Sequence, residues 1–447
     1  MKDFKTLSLT IQGVKNIKEK VTLNLSNISK LSLIRKKKLA LAGIYGPNGS
    51  GKTALITAIQ IAQTIVLHRK SLGYYSDEFL YSILNKDTKR FFFSADFALF
   101  NDFESNKTEA IYRYTLSLRE KDSCFRIEEE KIEQLSLLSL NEKPKFLIGS
   151  KNGALVFSEK EETPMQKLLI AKTANLLNER SFLSPVLEND KPNPKGYSEA
   201  WEKGVLYTWL FFQSIEVVLK NEDRHFPDIY LSETNKEEIL TKERHDFNFS
   251  EKLFSLHRQG RITFVRKKDI VFYEKHIHRL TAFIRVFKPE LKSIEINRLE
   301  DKDVYLCTNI LVYPTYRINE EFESNGIRQL IRLYDALEAG YQGKIVFIDE
   351  MDLALSGIYL SKILLFFEEY AKGQLILTAH SLETMDQLRK YSLFFLGEDN
   401  RLIKWVNNGH YLPSKVYPDG LIEGIPFNQD EIDFLPAFSE DEEKTKL

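Results

Sequence analysis

Cysteine is scarce. The only two, Cys124 and Cys307, stand far apart and in no Cys-x-x-Cys spacing. That argues against a disulfide framework and a cysteine zinc site, and it fits a reducing cytosol. A surplus of one charge is also missing. Lys and Arg number 63 against 64 Asp and Glu, a net charge of -1. A globally basic nucleic-acid binder is disfavoured, while a local basic patch stays open. There is no long apolar run. The most hydrophobic stretch, Val205 to Leu219, is short and carries Gln213, Ser214 and Glu216. It reads as a buried helix and not as a bilayer span. The opening, Met1 to Lys5, alternates charged and apolar residues, unlike a signal core. A cytoplasmic protein without a membrane partner is expected. Sustained heptads, internal repeats and low-complexity tracts are missing too, which argues against a long coiled-coil arm.

What is present is ample. The chain has 447 residues, 43% of them hydrophobic and 28% charged, enough for a large core and too apolar for wholesale disorder. At about 150 residues per domain, three domains or one large domain with an insertion are expected. Strand-like alternation marks Leu7 to Ile11 and Val21 to Leu25, and Leu39 to Tyr45 is a small-residue apolar strand. Phe91 to Phe157 reads mainly as strands, and Pro164 to Leu291 as mainly helical. The last third returns to strands and helices in alternation, which implies a largely parallel sheet with the middle inserted. The expected division is 1–160, an N-terminal lobe; 161–300, a helical insertion; and 301–447, a C-terminal lobe.

Four motifs carry chemistry. Gly46-Pro47-Asn48-Gly49-Ser50-Gly51-Lys52-Thr53 fits G-x-x-x-x-G-K-[ST] in full, between a strand and a helical pattern. Glycines let the backbone wrap a phosphate, so that loop N–H groups and the helix N-terminus face the anion. Lys52 would reach the β and γ phosphates of ATP, and Thr53 would ligate Mg²⁺. The second motif is Ile345 to Ile348 followed by Asp349-Glu350. It reads as a buried strand with two carboxylates at its carboxyl end, where parallel sheets hold ligands. Asp349 would belong to the Mg²⁺ shell, and Glu350 would orient an attacking water. The third is His380, at the end of the strand-like run Gln374 to Thr378. There it could touch a γ-phosphate. The fourth is Ser324-Asn325-Gly326-Ile327-Arg328. Ser324 can cap the following helix, and a Ser hydroxyl with a Gly N–H at a helix start also makes a phosphate site.

In this order the motifs resemble the ABC-class ATPases, over about residues 5–100 and 305–410. That class includes transporter ATPase domains, SMC proteins, RecF and the OLD-like ATPases. The resemblance implies a P-loop α/β fold: an ABC-type ATPase head with a mixed sheet, an antiparallel portion and a helical insertion. It makes Gly46 to Thr53 the Walker A loop, Ser324 to Arg328 the signature, and Asp349-Glu350 the Walker B pair. Leu353 to Ser356 becomes the D-loop and His380 the switch histidine. Leu9 to Ile17 looks like the opening strand and turn of the RecF/OLD-like group. Asn325, Ile327 and Ser356 depart from the usual signature and D-loop residues, and no Q-loop glutamine can be assigned. Slow hydrolysis of ATP, used as a clamp or switch, is expected.

The resemblance also implies partners. One chain carries one Walker A and one signature, so two sites need a homodimer or a larger even-numbered assembly. No Asp-x-Asp follows His380, and the effector is expected on a separate protein, a Toprim-type nuclease. That arrangement is similar to the ATPase subunits of two-component phage-defence systems, the AriA family of PARIS or alternatively the PtuA family of Septu, which answer a phage-encoded trigger protein. The alternative is a RecF/SMC-like ATPase that clamps DNA. Arg35 to Lys38 and Arg266 to Lys268 are its candidate contacts, though short basic runs are usually solvated faces. His276 and His278 would diverge on a helix, which argues against a metal pair. No role is assigned to His225 or His245. Partner recognition is expected in the insertion, on the aromatic helix of Trp201, Trp209, Phe211 and Phe212 or the polar stretch Asn221 to Asp246.

Overall fold

The computed structural model describes residues 2–26, 36–68, 70–103, 107–121, 124–137, 142–158, 162–188, 199–219, 257–259, 262–388, 392–397, 399–406 and 411–422. Asn221 to Asp246, His225, His245 and Arg35 lie outside them. The first strands are β1 (Asp3–Gln12), β2 (Val21–Asn24), β3 (Leu41–Tyr45), β4 (Arg90–Phe100), β5 (Thr108–Lys121) and β6 (Cys124–Leu135). Next come β7 (Lys145–Lys151), β8 (Ala154–Phe157), β9 (Ile215–Val218), β10 (His257–Gln259), β11 (Ile262–Arg266) and β12 (Ser293–Asp301). The last are β13 (Val304–Val312), β14 (Arg317–Asn319), β15 (Ile345–Ile348), β16 (Gln374–Thr378), β17 (Leu393–Leu396) and β18 (Leu402–Lys404).

They form three sheets. A six-stranded sheet runs β18-β17-β3-β16-β15-β9, parallel except for the β17–β18 pair. Its strands are short apolar runs because both faces are covered. The period of two then divides each strand between two cores. Ile345 and Phe347 pack with the helix Lys52–Leu67 and the antiparallel sheet, while Val346 and Ile348 pack with the helices Asn325–Gln342 and Gly357–Tyr370. The second sheet is antiparallel, in the order β2-β1-β4-β5-β6-β7-β8. The third joins β10, β11, β13 and β12, with β14 on β13. The fold is thus the expected P-loop α/β type with a mixed sheet and an antiparallel portion.

The middle of the chain corrects the expected insertion. It contains the helices Pro164–Thr173, Leu183–Glu188, Ala200–Gln213 and Ile270–Phe287, but also strands. Val205 to Leu219 is not one helix, since the helix stops at Gln213 and Ile215 begins β9. β9 then pairs in parallel with β15, Ile215 opposite Ile345 and Val218 opposite Ile348. The parallel sheet therefore needs the middle as well as the two ends. The aromatic helix is core. Phe211 stacks on Phe97 with centroids 4.1 Å apart, Phe212 meets Tyr114 edge-on at 5.0 Å, and Trp201 meets Phe157 at 5.2 Å. Bulky rings that close an antiparallel sheet are no longer available as partner anchors. Trp209 is partly buried against the same core.

Lys36 is not part of a solvated basic face either. Its Nζ lies 2.8 Å from Asp3 Oδ2 and donates to Asp102 O at 2.6 Å, while Lys5 Nζ lies 3.0 Å from Asp3 Oδ1. One buried carboxylate holds two ammonium groups where β1 meets the Ala371–Gly373 turn, because Lys5 Nζ also donates to Lys372 O at 2.6 Å. Among the described residues, no helix is long and apolar enough to cross a membrane.

Candidate functional site

The three central strands of the parallel sheet, β3, β16 and β15, lie side by side. Each ends in one of the motifs. The P-loop follows β3, His380 follows β16, and Asp349-Glu350 follow β15. Parallel register alone thus brings three distant stretches of sequence to one edge.

The loop Gly46 to Gly51 needs its glycines. Gly51 caps the helix Lys52–Leu67 at φ 108°, where a side chain is strained, and a Cβ there would sit 2.9 Å from Ile17 Cγ1. Gly49, at φ 81°, has nothing within 4 Å of where a Cβ would be, so its backbone is open to a ligand. Lys52 is buried and donates to Gly46 O at 2.7 Å and Pro47 O at 2.9 Å, which holds its ammonium inside the loop. Burial pushes its pKa down, against the pull of Asp349, Glu350 and Asp352. Thr53, in the first helical turn, is half-buried.

Asp349 is 2% exposed. Its Oδ1 accepts from Thr378 Oγ1 at 2.7 Å, while its Oδ2 has no hydrogen-bond partner. A buried carboxylate oxygen without a donor is costly unless a cation meets it. That fits Mg²⁺. Among the described residues no group of three His, Cys, Asp or Glu could hold a metal, so a Mg²⁺ here would lean on Asp349, Thr53 and phosphate oxygens together. Glu350 adopts φ 47°, rare for a side-chain-bearing residue, and its N–H donates to Thr378 Oγ1 at 2.8 Å. The β16 tip thereby fixes both members of the pair. His380 is exposed at the same tip, and its N–H and that of Ser381 donate to Asp352 Oδ2 at 2.7 and 2.6 Å.

A model of the family described as "AAA domain, putative AbiEii toxin, Type IV TA system" matches residues 41–386. The chain belongs to this AAA_21 family. The match runs from β3 through His380, so it takes in every motif above. No curated protein matches the sequence. Solved structures share it only distantly. An SMC head bound to the C-terminal winged-helix domain of ScpA is 13% identical over 89% of this chain and 97% of that one, at a TM-score of 0.43. A Pyrococcus furiosus Smc head with an extended coiled coil, bound to the C-terminal domain of ScpA, gives 13% over 90% and 96%, at 0.40. The recombination mediator RecF with a bound ATP analogue gives 13% over 90% and 98%, at 0.39.

In this AAA_21 chain the fourth motif opens the helix Asn325–Gln342 and does not follow a strand of the parallel sheet as the other three do. Ser324 caps the helix Asn325–Gln342, its Oγ accepting from Ile327 N at 3.4 Å, and it is exposed. Arg328 folds back on its own turn, donating to Glu321 O at 3.4 Å and to Asn325 Oδ1. Gly326 abuts the turn after Glu350, since a Cβ on it would lie 3.0 Å from Ala354 O. The described hydrogen bonds of Ser324 and Arg328 all stay within the stretch Glu321 to Arg328.

Several site residues were missed in the sequence. Thr378 and Asp352 are described above. Asn16 Nδ2 donates to Gly49 O, so the β1–β2 turn grips the P-loop. Lys15, next to it at φ 49°, is partly desolvated, which pushes its pKa down against the pull of Asp349. The run Leu9 to Ile17 contained the last two, and a threonine just before Ala379-His380 was the signal for Thr378.

Proposed function

We propose that the chain is an ATP-binding and ATP-hydrolysing sensor and scaffold that holds a separate effector, a Toprim-type nuclease, and releases or activates it on meeting a phage-encoded protein. The observation that carries the ATPase half is the unpartnered Asp349 Oδ2, buried at the tip of a strand two places from the P-loop strand. On this reading Gly46 to Thr53 bind the phosphates, Thr53 and Asp349 hold Mg²⁺, and Glu350 orients the attacking water with His380 beside it. Bound Mg²⁺ supplies charge neutralisation at the phosphates.

The homodimer belongs to the same proposal. Ser324 and Gly326 sit at an exposed helix start flanked by Phe322, 69% exposed, and Leu353, 40% exposed. That is a surface suited to a second copy whose P-loop would receive the signature. The toxin–antitoxin wording of the family description agrees with a defence setting.

Mixing purified chain, ATP and Mg²⁺ tests this. Hydrolysis with ATP-dependent dimerisation is expected, and a chain that stays monomeric with ATP, including as Glu350→Gln, overturns the shared site. Copurification with a nuclease encoded beside it supports the scaffold role. Tight, salt-dependent DNA binding by the chain alone would instead transfer the reading to a DNA-clamping ATPase.

A further inference from the structure

We propose that Asp352 is a positioning residue for ATP hydrolysis: its carboxylate hangs the His380 loop from the turn that carries Glu350. The inference rests on the reading of Glu350 and His380 as the groups beside the γ-phosphate.

β16 ends at Thr378, and Ala379 N still reaches Ile44 O of the neighbouring strand at 3.3 Å. Beyond that point the chain leaves the sheet, so the ladder offers no acceptor to the next two N–H groups. Asp352 Oδ2 takes both, at 2.7 and 2.6 Å. Bonds of that length to a carboxylate are the strong class, and a single oxygen receiving two successive N–H groups fixes the direction of the peptide between them. His380 projects from that peptide.

The anchor is itself firm. Leu353 N donates to Glu350 O at 3.0 Å and Leu355 N to Asp352 O at 3.1 Å, which closes the turn on Glu350. Met351 N donates to Thr378 O at 3.0 Å, so the two strand tips are already stitched just before Asp352. On the far side, a Cβ on Gly357 would overlap the carboxylate of Glu383. The Ser381–Glu383 stretch is therefore met on both sides of Leu353–Ser356, by Asp352 and by that close packing at Gly357. Only the first is directional. Gly326, at the start of the signature helix, abuts the same turn at Ala354 O. Displacement of that helix would press on the element from which His380 hangs.

The test is steady-state ATP hydrolysis by the full chain and its variants. Asp352→Ala should lower kcat about tenfold to a hundredfold, the usual cost of misplacing a reacting group by an ångström. KM should stay within about twofold, since the phosphate loop is untouched. Asp352→Asn keeps an acceptor oxygen and should recover most of kcat. Hydrogen exchange at the His380 and Ser381 amides should quicken in the alanine variant and not in the asparagine one. Should Asp352→Ala fail to fold, Asp352→Glu, which keeps the charge and misplaces the acceptor, carries the same expectation for kcat and exchange. Wild-type turnover in the alanine variant, or an equal loss in both Ala and Asn, overturns the proposal. Glu350→Gln and His380→Ala run alongside. If both turn over like wild type, the hydrolytic reading has failed and the role of Asp352 with it, a result distinct from failure of Asp352 alone.

Discussion

The hydroxyl of Thr378 ties the tip of one strand to Asp349 on the next: Oγ1 donates to Asp349 Oδ1 at 2.7 Å. The same oxygen accepts from Glu350 N at 2.8 Å. One side chain therefore orients the buried carboxylate of Asp349 and pins the strained backbone of Glu350. Thr378→Val keeps the shape and removes both bonds, leaving a buried carboxylate with one donor fewer. A loss of about 1–3 kcal/mol in stability is expected, together with weaker Mg²⁺-dependent ATP binding. Thr378→Ser should restore both. Melting curves and nucleotide titrations check this, and a valine variant with unchanged Mg²⁺ dependence would show that Thr378 serves packing only.

Lys52→Ala and Glu350→Gln should differ in kind. Lys52 supplies positive charge inside the P-loop, so its removal should abolish measurable ATP affinity. Glu350→Gln leaves the phosphate contacts and, on the proposed reading, removes the carboxylate that would orient water. It should bind ATP and stall with it bound. Equilibrium nucleotide binding and single-turnover hydrolysis separate the two. Wild-type hydrolysis by the Gln variant would remove Glu350 from the chemistry.

The legible part of this protein was local. Gln374–Thr378 could be read as a strand because five apolar-rich residues end in a polar one, and it is that strand. Gly46 to Thr53 could be read because its spacing is itself the mechanism. What stayed hidden was partnership across distance. Ile215–Val218 looks like the tail of an apolar helix until β15 is beside it, since only the sheet supplies the partner that makes four such residues a strand. Thr378 and Asp352 are ordinary residues in the sequence. Their roles arise from the adjacency of β15 and β16, which no periodicity encodes.

Glu130 should make stability depend on pH near neutrality. It is fully buried in β6, and burial raises its pKa from 4.5 to about 7, although Ser181 Oγ, Phe182 N and Tyr114 OH all donate to it. The folded chain thus holds this proton more tightly than the unfolded chain. Stability should fall as pH rises from about 4.5 through about 7, by about 3 kcal/mol from this group. Glu130→Gln carries no such proton and should flatten that slope. Urea midpoints from pH 5 to 7.5 read it out, and parallel slopes in the two proteins would place the carboxylate's charge elsewhere in the balance.

His276 should act in the same sense and at higher pH. It lies on the helix Ile270–Phe287, 7% exposed, with Nε2 3.1 Å from Asp335 Oδ1 and Nδ1 3.6 Å from Glu338 Oε2 of the signature helix. Burial opposes its charge, but the two carboxylates outweigh burial and raise its pKa from 6.5 to about 9. The stabilisation is complete below the unfolded value and is lost as pH climbs through about 9. Its size is about 2 kcal/mol, discounted because Asp335 is half exposed and screened by water. His276→Gln removes the charge while keeping a hydrogen-bonding side chain, so its stability should be lower at pH 6 and should converge on wild type near pH 10. Because the pair joins the signature helix to its neighbour, amide exchange within Asn325–Gln342 should rise with pH in the wild type and start high in the variant. Equal stability of the two proteins at pH 6 would mean that tyrosine stacking and packing around the ring, and not its charge, hold the two helices together.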